Sequence, residues 1–579
     1  MERKFPKRKD LEMRGGHGTM ASLGSYQAMV DAALTELHNN RIMARIWEKD
    51  YTVWKDSPVE ITNRLGWLES PKVMTEAIGQ INNVVDEVRG DGYTHALLLG
   101  MGGSSLAPEV FRKTFGVRDG YLDLAVLDST DPGTVLAHVE RLDLARTLFI
   151  VSTKSGSTVE TFSLFKYFYN LVEKTLGASR AGRHFIAITD TGSALADLAT
   201  VHQFRTTFFN DPNIGGRYSA LSYFGLVPAA LIGMDIKTLL CRALAIADHE
   251  VAGKKPEVSN IDGAFLGTVL GEMARAGRDK VTFVISPGIA SFGNWLEQLI
   301  AESTGKEKRG ILPVVGEPLG SPGVYSNDRL FVLLHTDAEE GYNEKLVALE
   351  KAGHPLVRIH LQDRYDLGDQ CFLWEMATVV ACHLLGINPF DQPDVEATKV
   401  LTKKMVAAYR EKGKLPAEAP ALSGNGITIY GDVQAESPAA ALAVFLRLAR
   451  PGAYVAIQAY VQPTATTDAA LALLRTRLRD KLHMATTVGY GPRFLHSTGQ
   501  LGKGDNGRGL FVQFTADDHY DIPIPDEPGK PDSSITFGIL KAAQALGDRQ
   551  ALINAGRHVI RLHLGTDVVG SLKTLTEAL

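Results

Sequence analysis

Four short apolar runs, at residues 96–99, 124–127, 148–151 and 185–188, are each followed by a turn rich in Gly, Ser or Asp and then by a helix-length segment. None of them alternates apolar with polar residues, so each reads as a strand buried on both faces, as in a parallel sheet. A second set follows at 281–285, 330–334 and 356–361. The expected fold class is therefore α/β, built from doubly wound parallel sheets. At 579 residues the chain is too long for a single growing core, and two to four compact domains are expected.

Changes of pattern divide the chain. Residues 1–90 read as a polar leader and an N-terminal helical cover, 91–240 as a first α/β domain, 241–414 as a second, and 425–579 as a C-terminal α/β module. The strip 415–424, rich in Pro, Ala and Gly, is the expected linker. Part of the second domain recurs in the module: residues 352–361 match 555–564, and Arg329-Leu330-Phe331-Val332 is echoed, with one insertion, by Arg508-Gly509-Leu510-Phe511-Val512. Two matched segments in the same order argue for a duplicated unit.

Composition narrows the function classes. With 45% hydrophobic and 22% charged residues and a formal charge of −5, nothing favours nucleic acid or an anionic membrane as partner, so any phosphate recognition must be local. The three cysteines, Cys241, Cys371 and Cys382, show no C-x-x-C spacing, which suits a reducing cytosol and buried structural thiols. The leader carries Arg3, Lys4, Lys7, Arg8, Lys9 and Arg14 but no apolar core, so it does not read as a secretory signal. No apolar run reaches the roughly 18 residues that span a bilayer, and the expected location is cytoplasmic.

Five segments carry chemistry. Gly100-Met101-Gly102-Gly103-Ser104-Ser105 follows a strand and opens a helix, although Ser105 stands where a dinucleotide fingerprint needs its third glycine. Thr153-Lys154-Ser155-Gly156-Ser157-Thr158 offers hydroxyls and free backbone N–H groups at a strand-to-helix turn, an anion cradle. Gly215-Gly216-Arg217 sets a guanidinium behind two glycines that permit close backbone approach. In 294–306 a helix carrying Gln298 and Glu302 one turn apart ends at Gly305, and its apolar neighbours push the Glu302 carboxyl toward the range of a useful base. A helix starting near Asp391 or Asp394, with Pro393 in its first turn, carries Lys399. Together these describe a site for a small phosphorylated molecule, with a carboxylate base and a guanidinium beside it.

In this order, Gly102-Gly103-Ser104, the 153–158 turn, Ile214-Gly215-Gly216-Arg217-Tyr218-Ser219, Gln298 with Glu302-Ser303 and Gly305-Lys306, Gly316-Glu317-Pro318, and Phe390-Asp391-Gln392 with Val395-Glu396 and Lys399 resemble the phosphoglucose isomerases over about residues 95–400. The segment 489–500 resembles the isomerase half of the fused transaldolase and phosphoglucose isomerase proteins; residues 1–90 are too few to form a transaldolase barrel. The resemblance implies sugar-isomerase-type sheets and conversion of glucose 6-phosphate to fructose 6-phosphate through a cis-enediol, with no metal or organic cofactor. It makes Glu302 the base, Arg217 the stabilising cation and Lys399 an aid to ring opening. Gly103, Ser104, Thr153, Ser155 and Thr158, with the Lys154 backbone, would hold the phosphate, and Gly216, Gln298 and Gln392 would line the site.

One departure stands out. The family's ring-opening histidine, donated across a dimer interface, should follow Gly316-Glu317-Pro318, yet residues 319–330 contain none. Asp328 aligns nearby and could serve if its pKa were raised, or His496 of the C-terminal module could substitute. The expected partner is a sugar phosphate; a homodimer and a transaldolase are the candidate protein partners. A protein that only senses sugar phosphates is the alternative from another class, and an isomerase that also takes mannose 6-phosphate is the nearer one.

Overall fold

The structure, a computed structural model, describes residues 20–252, 262–336 and 343–579. The basic leader read from the sequence lies outside them. The described N-terminal part begins with a strand, β1 (Met20–Ser22), followed by helices at Gln27–Asn39, Ile42–Trp47 and Ser70–Gly90.

The first sheet contains β2 (His95–Gly100), β3 (Asp123–Leu127), β4 (Thr147–Ser152), β5 (Phe185–Asp190) and β6 (Thr206–Asn210), all parallel and ordered β3-β2-β4-β5-β6. Its apolar runs are continuous because alternate residues serve two cores. Ala96, Leu98, Leu148, Ile150 and Ile186 join the large core shared with the second domain, whereas Leu97, Leu99, Phe149, Val151 and Phe185 join a second one on the opposite face. β6 was not anticipated, since its Phe208 is buried while Phe209 is half exposed at the sheet edge.

The second sheet comprises β7 (Lys280–Ile285), β8 (Leu312–Val314), β9 (Arg329–Thr336) and β10 (Leu356–Leu361), mutually parallel, with β1 added antiparallel on the edge of β10. The expectation of a wholly parallel sheet thus needs correction at that edge, where the N-terminal strand pairs with Leu356–Arg358 of β10 and leaves a shorter edge of three residues. The cysteines need correction as well. Cys371 and Cys382 are buried on the helix Leu367–Leu385, but Cys241 is exposed on the helix Ile236–Ala252.

The C-terminal module forms a six-stranded mixed sheet from β11 (Leu422–Gly424), β12 (Ile427–Tyr430), β13 (Tyr454–Tyr460), β14 (Ala485–Tyr490), β15 (Gly509–Thr515) and β18 (His558–His563), ordered β11-β12-β18-β15-β13-β14. A small hairpin, β16 (Pro523–Ile524) with β17 (Ile535–Thr536), stands apart. The end of the expected linker is therefore a strand, β11. Phe331 lies opposite Leu356 in the second sheet, and Phe511, which matches Phe331 in sequence, lies opposite Val559, which matches Leu356. The matched segments share one strand register, which supports duplication.

The module is packed onto both other sheets. Ile522, Ile524, Ile535, Phe537 and Leu540 enter the outer core of the first sheet, and Tyr454, Ala456, Leu501 and Phe511 cluster with Ala301, Leu312 and Val314 of the second. The second of these contacts reaches the helix Phe292–Thr304, which carries Gln298 and Glu302.

Candidate active site

The turn after β2 is shaped by glycine. Gly102 has φ +57°, and a methyl group there would lie 2.9 Å from Gln298 Nε2 and 3.1 Å from His496 Cβ. A methyl on Gly103 would lie 1.9 Å from the Gly216 carbonyl oxygen. Only hydrogen fits at either position, so the Gly102-Gly103 turn, the Gly216-Arg217 turn, the Glu302 helix and the His496 segment converge here. Ser104 is buried in the first turn of the following helix.

Arg217 emerges from this junction, 3% exposed. Its Nε donates to Ser303 Oγ (2.9 Å), Nη1 to Gln392 Oε1 (2.6 Å) and to Glu302 Oε2 (3.4 Å), and Nη2 to the carbonyls of Pro389 (2.6 Å) and Asp391 (3.2 Å). Gln298 Nε2 also donates to Glu302 Oε2, at 3.3 Å, as expected of residues four apart on a helix. Burial pushes the Glu302 carboxyl above its ordinary range, against the pull of Arg217, His496 and Lys306. Lys306, whose ammonium is enclosed by the Asn388 and Asp391 carbonyls and the Asp391 carboxylate, is pushed down to about 8 by burial and then by Arg217.

The C-terminal module contributes His496. Gln298 Nε2 donates to the His496 carbonyl at 2.7 Å, while the imidazole Nε2 meets Glu160 Oε1 at 3.1 Å. Glu160 Oε1 also accepts from Gln544 Nε2 (2.7 Å), and Gln544 Oε1 accepts from Thr130 Oγ1 (2.8 Å). Burial disfavours both charges, but the attraction between them prevails, holding Glu160 below and His496 above their ordinary values.

Glu160 stands in the first turn of the helix Val159–Leu176, which opens from the 153–158 turn with no side chain capping its N-terminus. The first-turn N–H groups are thus without a capping oxygen, and an anion is a suitable partner for them. Thr153 Oγ1 and Thr158 Oγ1 lie 3.1 Å apart, and Ser155 and Ser157, both exposed, pair at 2.9 Å. The Lys154 ammonium turns away to Asp190 and the Pro212 carbonyl, leaving its backbone for the turn.

Lys399, on the helix Pro393–Lys412, is half exposed, pairs with Glu396 at 3.4 Å, and is near enough to Glu160 and His496 to act on both charges. Asp328 requires correction, for the structure does not bring it to this group. It lies just before β9, and its ion partners are Lys280 at 3.5 Å and Arg329 at 3.8 Å. A carboxylate turned to those cations is not placed to serve Glu302.

Sequence reasoning missed several positions. Glu160 reads locally as an ordinary first-turn acid, and Lys306 as one residue of a motif. Gln500 carries no local signal, yet it is fully buried; its Nε2 donates to the Gly305 carbonyl (2.9 Å) and Asp394 Oδ2 (2.6 Å), and its Oε1 accepts from Asp394 N (2.9 Å). It thereby ties the end of the Glu302 helix to the start of the Lys399 helix. Gln500→Leu is expected to cost about 1–3 kcal/mol for each buried group left unpaired, seen as a lower thermal midpoint; an unchanged midpoint would dismiss the tie.

This chain resembles known proteins over much of its length. The family model described as PGI, Phosphoglucose isomerase, matches residues 67–336. The glucose-6-phosphate isomerase of Limosilactobacillus reuteri is 27% identical over 444 residues, covering 68% of this chain and 94% of that protein. That of Rubrobacter xylanophilus is 26% identical over 422 residues, covering 64% and 94%. Among solved structures, a hypothetical protein from Thermus thermophilus superposes with a TM-score of 0.56 at 25% identity, over 67% of this chain and all of that one. A glucose-6-phosphate isomerase from Chlamydia trachomatis gives 0.58 at 18% identity, over 70% and 91%, a likeness of fold.

Proposed function

We infer that this chain is an enzyme, an aldose-ketose isomerase that interconverts glucose 6-phosphate and fructose 6-phosphate by proton transfer through a cis-enediol. The observation that carries the reading is the contact of Glu302 Oε2 with Arg217 Nη1 at 3.4 Å, in a buried setting that lifts the carboxyl while keeping a cation beside it. The proton to be moved is α to a carbonyl and weakly acidic, so it leaves only as the oxyanion is stabilised. Glu302 takes it from C2 of the aldose and returns it to C1; Arg217 faces the enediolate, with Gln298 and Gln392 as neighbours. The phosphate is held by Ser104, Thr153, Ser155, Thr158 and the N–H groups of the 153–158 turn, which keeps C1 and C2 at the carboxylate.

Ring opening is assigned to His496. Its charged form is favoured by Glu160, which suits donation of a proton to the ring oxygen, and Lys399 adds positive charge nearby. The imidazole comes from the same chain, so this reading makes no demand on a second copy or on a transaldolase.

The test is a coupled assay in both directions, with mannose 6-phosphate, which differs only in configuration at C2, as a further arm. Turnover of the glucose and fructose esters is expected, and its absence overturns the reading. His496→Ala is expected to slow α/β-anomer interconversion of glucose 6-phosphate by about a hundredfold, the effect of removing one general acid. Asp328→Ala should stay close to the parent; the opposite ranking would reassign the ring-opening role.

A further inference from the structure

Two adjacent residues of the Glu302 helix grip two adjacent residues of the C-terminal module. Gln298 donates to the His496 carbonyl at 2.7 Å, and Ser497 Oγ donates to Glu297 Oε1 at 3.2 Å. Gln298 belongs to the site described above. Glu297 does not, and the reaction gives it no task.

The surroundings of Glu297 suit an acid better than a carboxylate. Among the described residues it has no ion pair. The charged groups that act on it are Arg493, in the short helix Arg493–His496, and Arg475, in the helix Ala465–Leu482; neither forms an ion pair with it. Arg493 Nε is 3.2 Å from Asp128, and Arg475 donates to the Val315 carbonyl at 2.9 Å and to the Thr486 carbonyl. Lys503, which lines the same space, is spent on Asp548 at 2.6 Å. Glu297 faces a cavity of about 20 Å³ shared with Gln458, whose buried Oε1 has no hydrogen-bond partner. That volume admits one water, which can bridge Glu297 to the orphaned acceptor.

We propose that Glu297 is a positioning residue for His496 that acts as the uncharged acid, so that its ionisation loosens the ring-opening group while the enediol base stays in place. The path is short. Arg493 Nη2 is buried without a partner, three residues before His496 in the same short helix. An ionised Glu297 competes with Asp128 for that guanidinium and draws on the segment that holds the imidazole. Glu302 keeps its contacts with Arg217 and with Gln298.

Burial raises the Glu297 carboxyl from 4.5 to about 7, despite Ser497, Arg493 and Arg475. The folded chain therefore holds an extra proton between those values. The stabilising contribution of this group is complete below 4.5 and is lost as pH rises to about 7.

The inference rests on the isomerase reading, and the experiment separates the two. Full-length parent, Glu297→Gln, Glu297→Ala and Ser497→Ala are compared from acid to alkaline pH in two measurements: anomer interconversion of glucose 6-phosphate by exchange NMR, which reports ring opening alone, and overall isomerisation. In the parent, ring opening is expected to fall about tenfold per pH unit once Glu297 ionises. Glu297→Gln keeps the contact with Ser497 but cannot ionise, so its ring opening should hold through that window and decline only with His496. Ser497→Ala should be slower than the parent severalfold at every pH, and Glu297→Ala slower than Glu297→Gln severalfold. The thermal midpoint of Glu297→Gln should exceed that of the parent at alkaline pH and match it at acid pH. Identical pH profiles for parent and Glu297→Gln, with isomerisation intact, overturn the proposal and leave the isomerase reading standing. A parent that opens no ring and isomerises nothing overturns both.

Discussion

Glu302→Gln is expected to lower isomerisation by about a thousandfold or more, near the upper end of what one general base contributes. The amide preserves shape and can still lie beside Arg217 and Gln298, so the 153–158 turn should keep its affinity for a phosphorylated ligand. Ring opening by His496 should also persist, so that glucose 6-phosphate anomers still interconvert while no fructose 6-phosphate appears. This split distinguishes loss of the base from loss of the site; a variant that isomerises within tenfold of the parent would remove Glu302 from its role. The pH profile carries the same signature. Glu302 must be ionised to act, and burial lifts it above the 4.5 of an ordinary glutamate, so the acid limb of kcat/KM should lie above that value. For stability the sign is opposite: the folded state holds the proton more tightly, so the contribution of this group falls as pH rises from 4.5 toward the lifted value.

Arg217→Ala should be damaging in two ways. Catalytically it removes the cation facing the enediolate, a loss of about a hundredfold to a thousandfold by the measure of single oxyanion donors. Structurally it leaves the Glu302 carboxylate buried without its cation and strips hydrogen bonds from Ser303, Gln392 and the Pro389 and Asp391 carbonyls. Breaking a buried pair from one side costs about 3–5 kcal/mol. A double variant, Arg217→Met with Glu302→Gln, separates the effects, because replacing both charges avoids the orphaned carboxylate. It should recover much of the thermal midpoint and none of the activity. Failure to recover stability would show that the hydrogen bonds to Ser303 and the 389–392 loop, more than the charge pair, hold this junction together.

The strands that could be read in advance were those buried on both faces. Leu97 and Leu98 enter different cores, and that is why the run 96–99 shows no alternation. β6 and β8 escaped notice for physical reasons: β6 is an edge strand with polar ends and one exposed phenylalanine, and β8 is three residues long. Within the site, Gln298 and Glu302 were legible because a helix spaces them one turn apart on one face. Arg217 was legible through the glycines before it. Glu160 reads only as a helix-start acid, Gln500 only as the end of the 489–500 segment, and Gln544 carries no signal, since their partners lie hundreds of residues away or in another domain.

The choice between Asp328 and His496 shows the same boundary. Both were open on sequence order, and the fold separated them, one to Lys280 at the start of a strand and the other to Glu160 across a domain boundary. Local chemistry, then, was written in the chain itself: the alternation that makes a strand, the glycine that permits a turn, the helical spacing that pairs an amide with a carboxylate. Tertiary structure alone decided which domain brings an imidazole to Glu160 and which carboxyl stands without an ion pair among the described residues. Those outcomes depend on desolvation and on distances between side chains far apart in sequence, and neither exists until the three sheets have packed together.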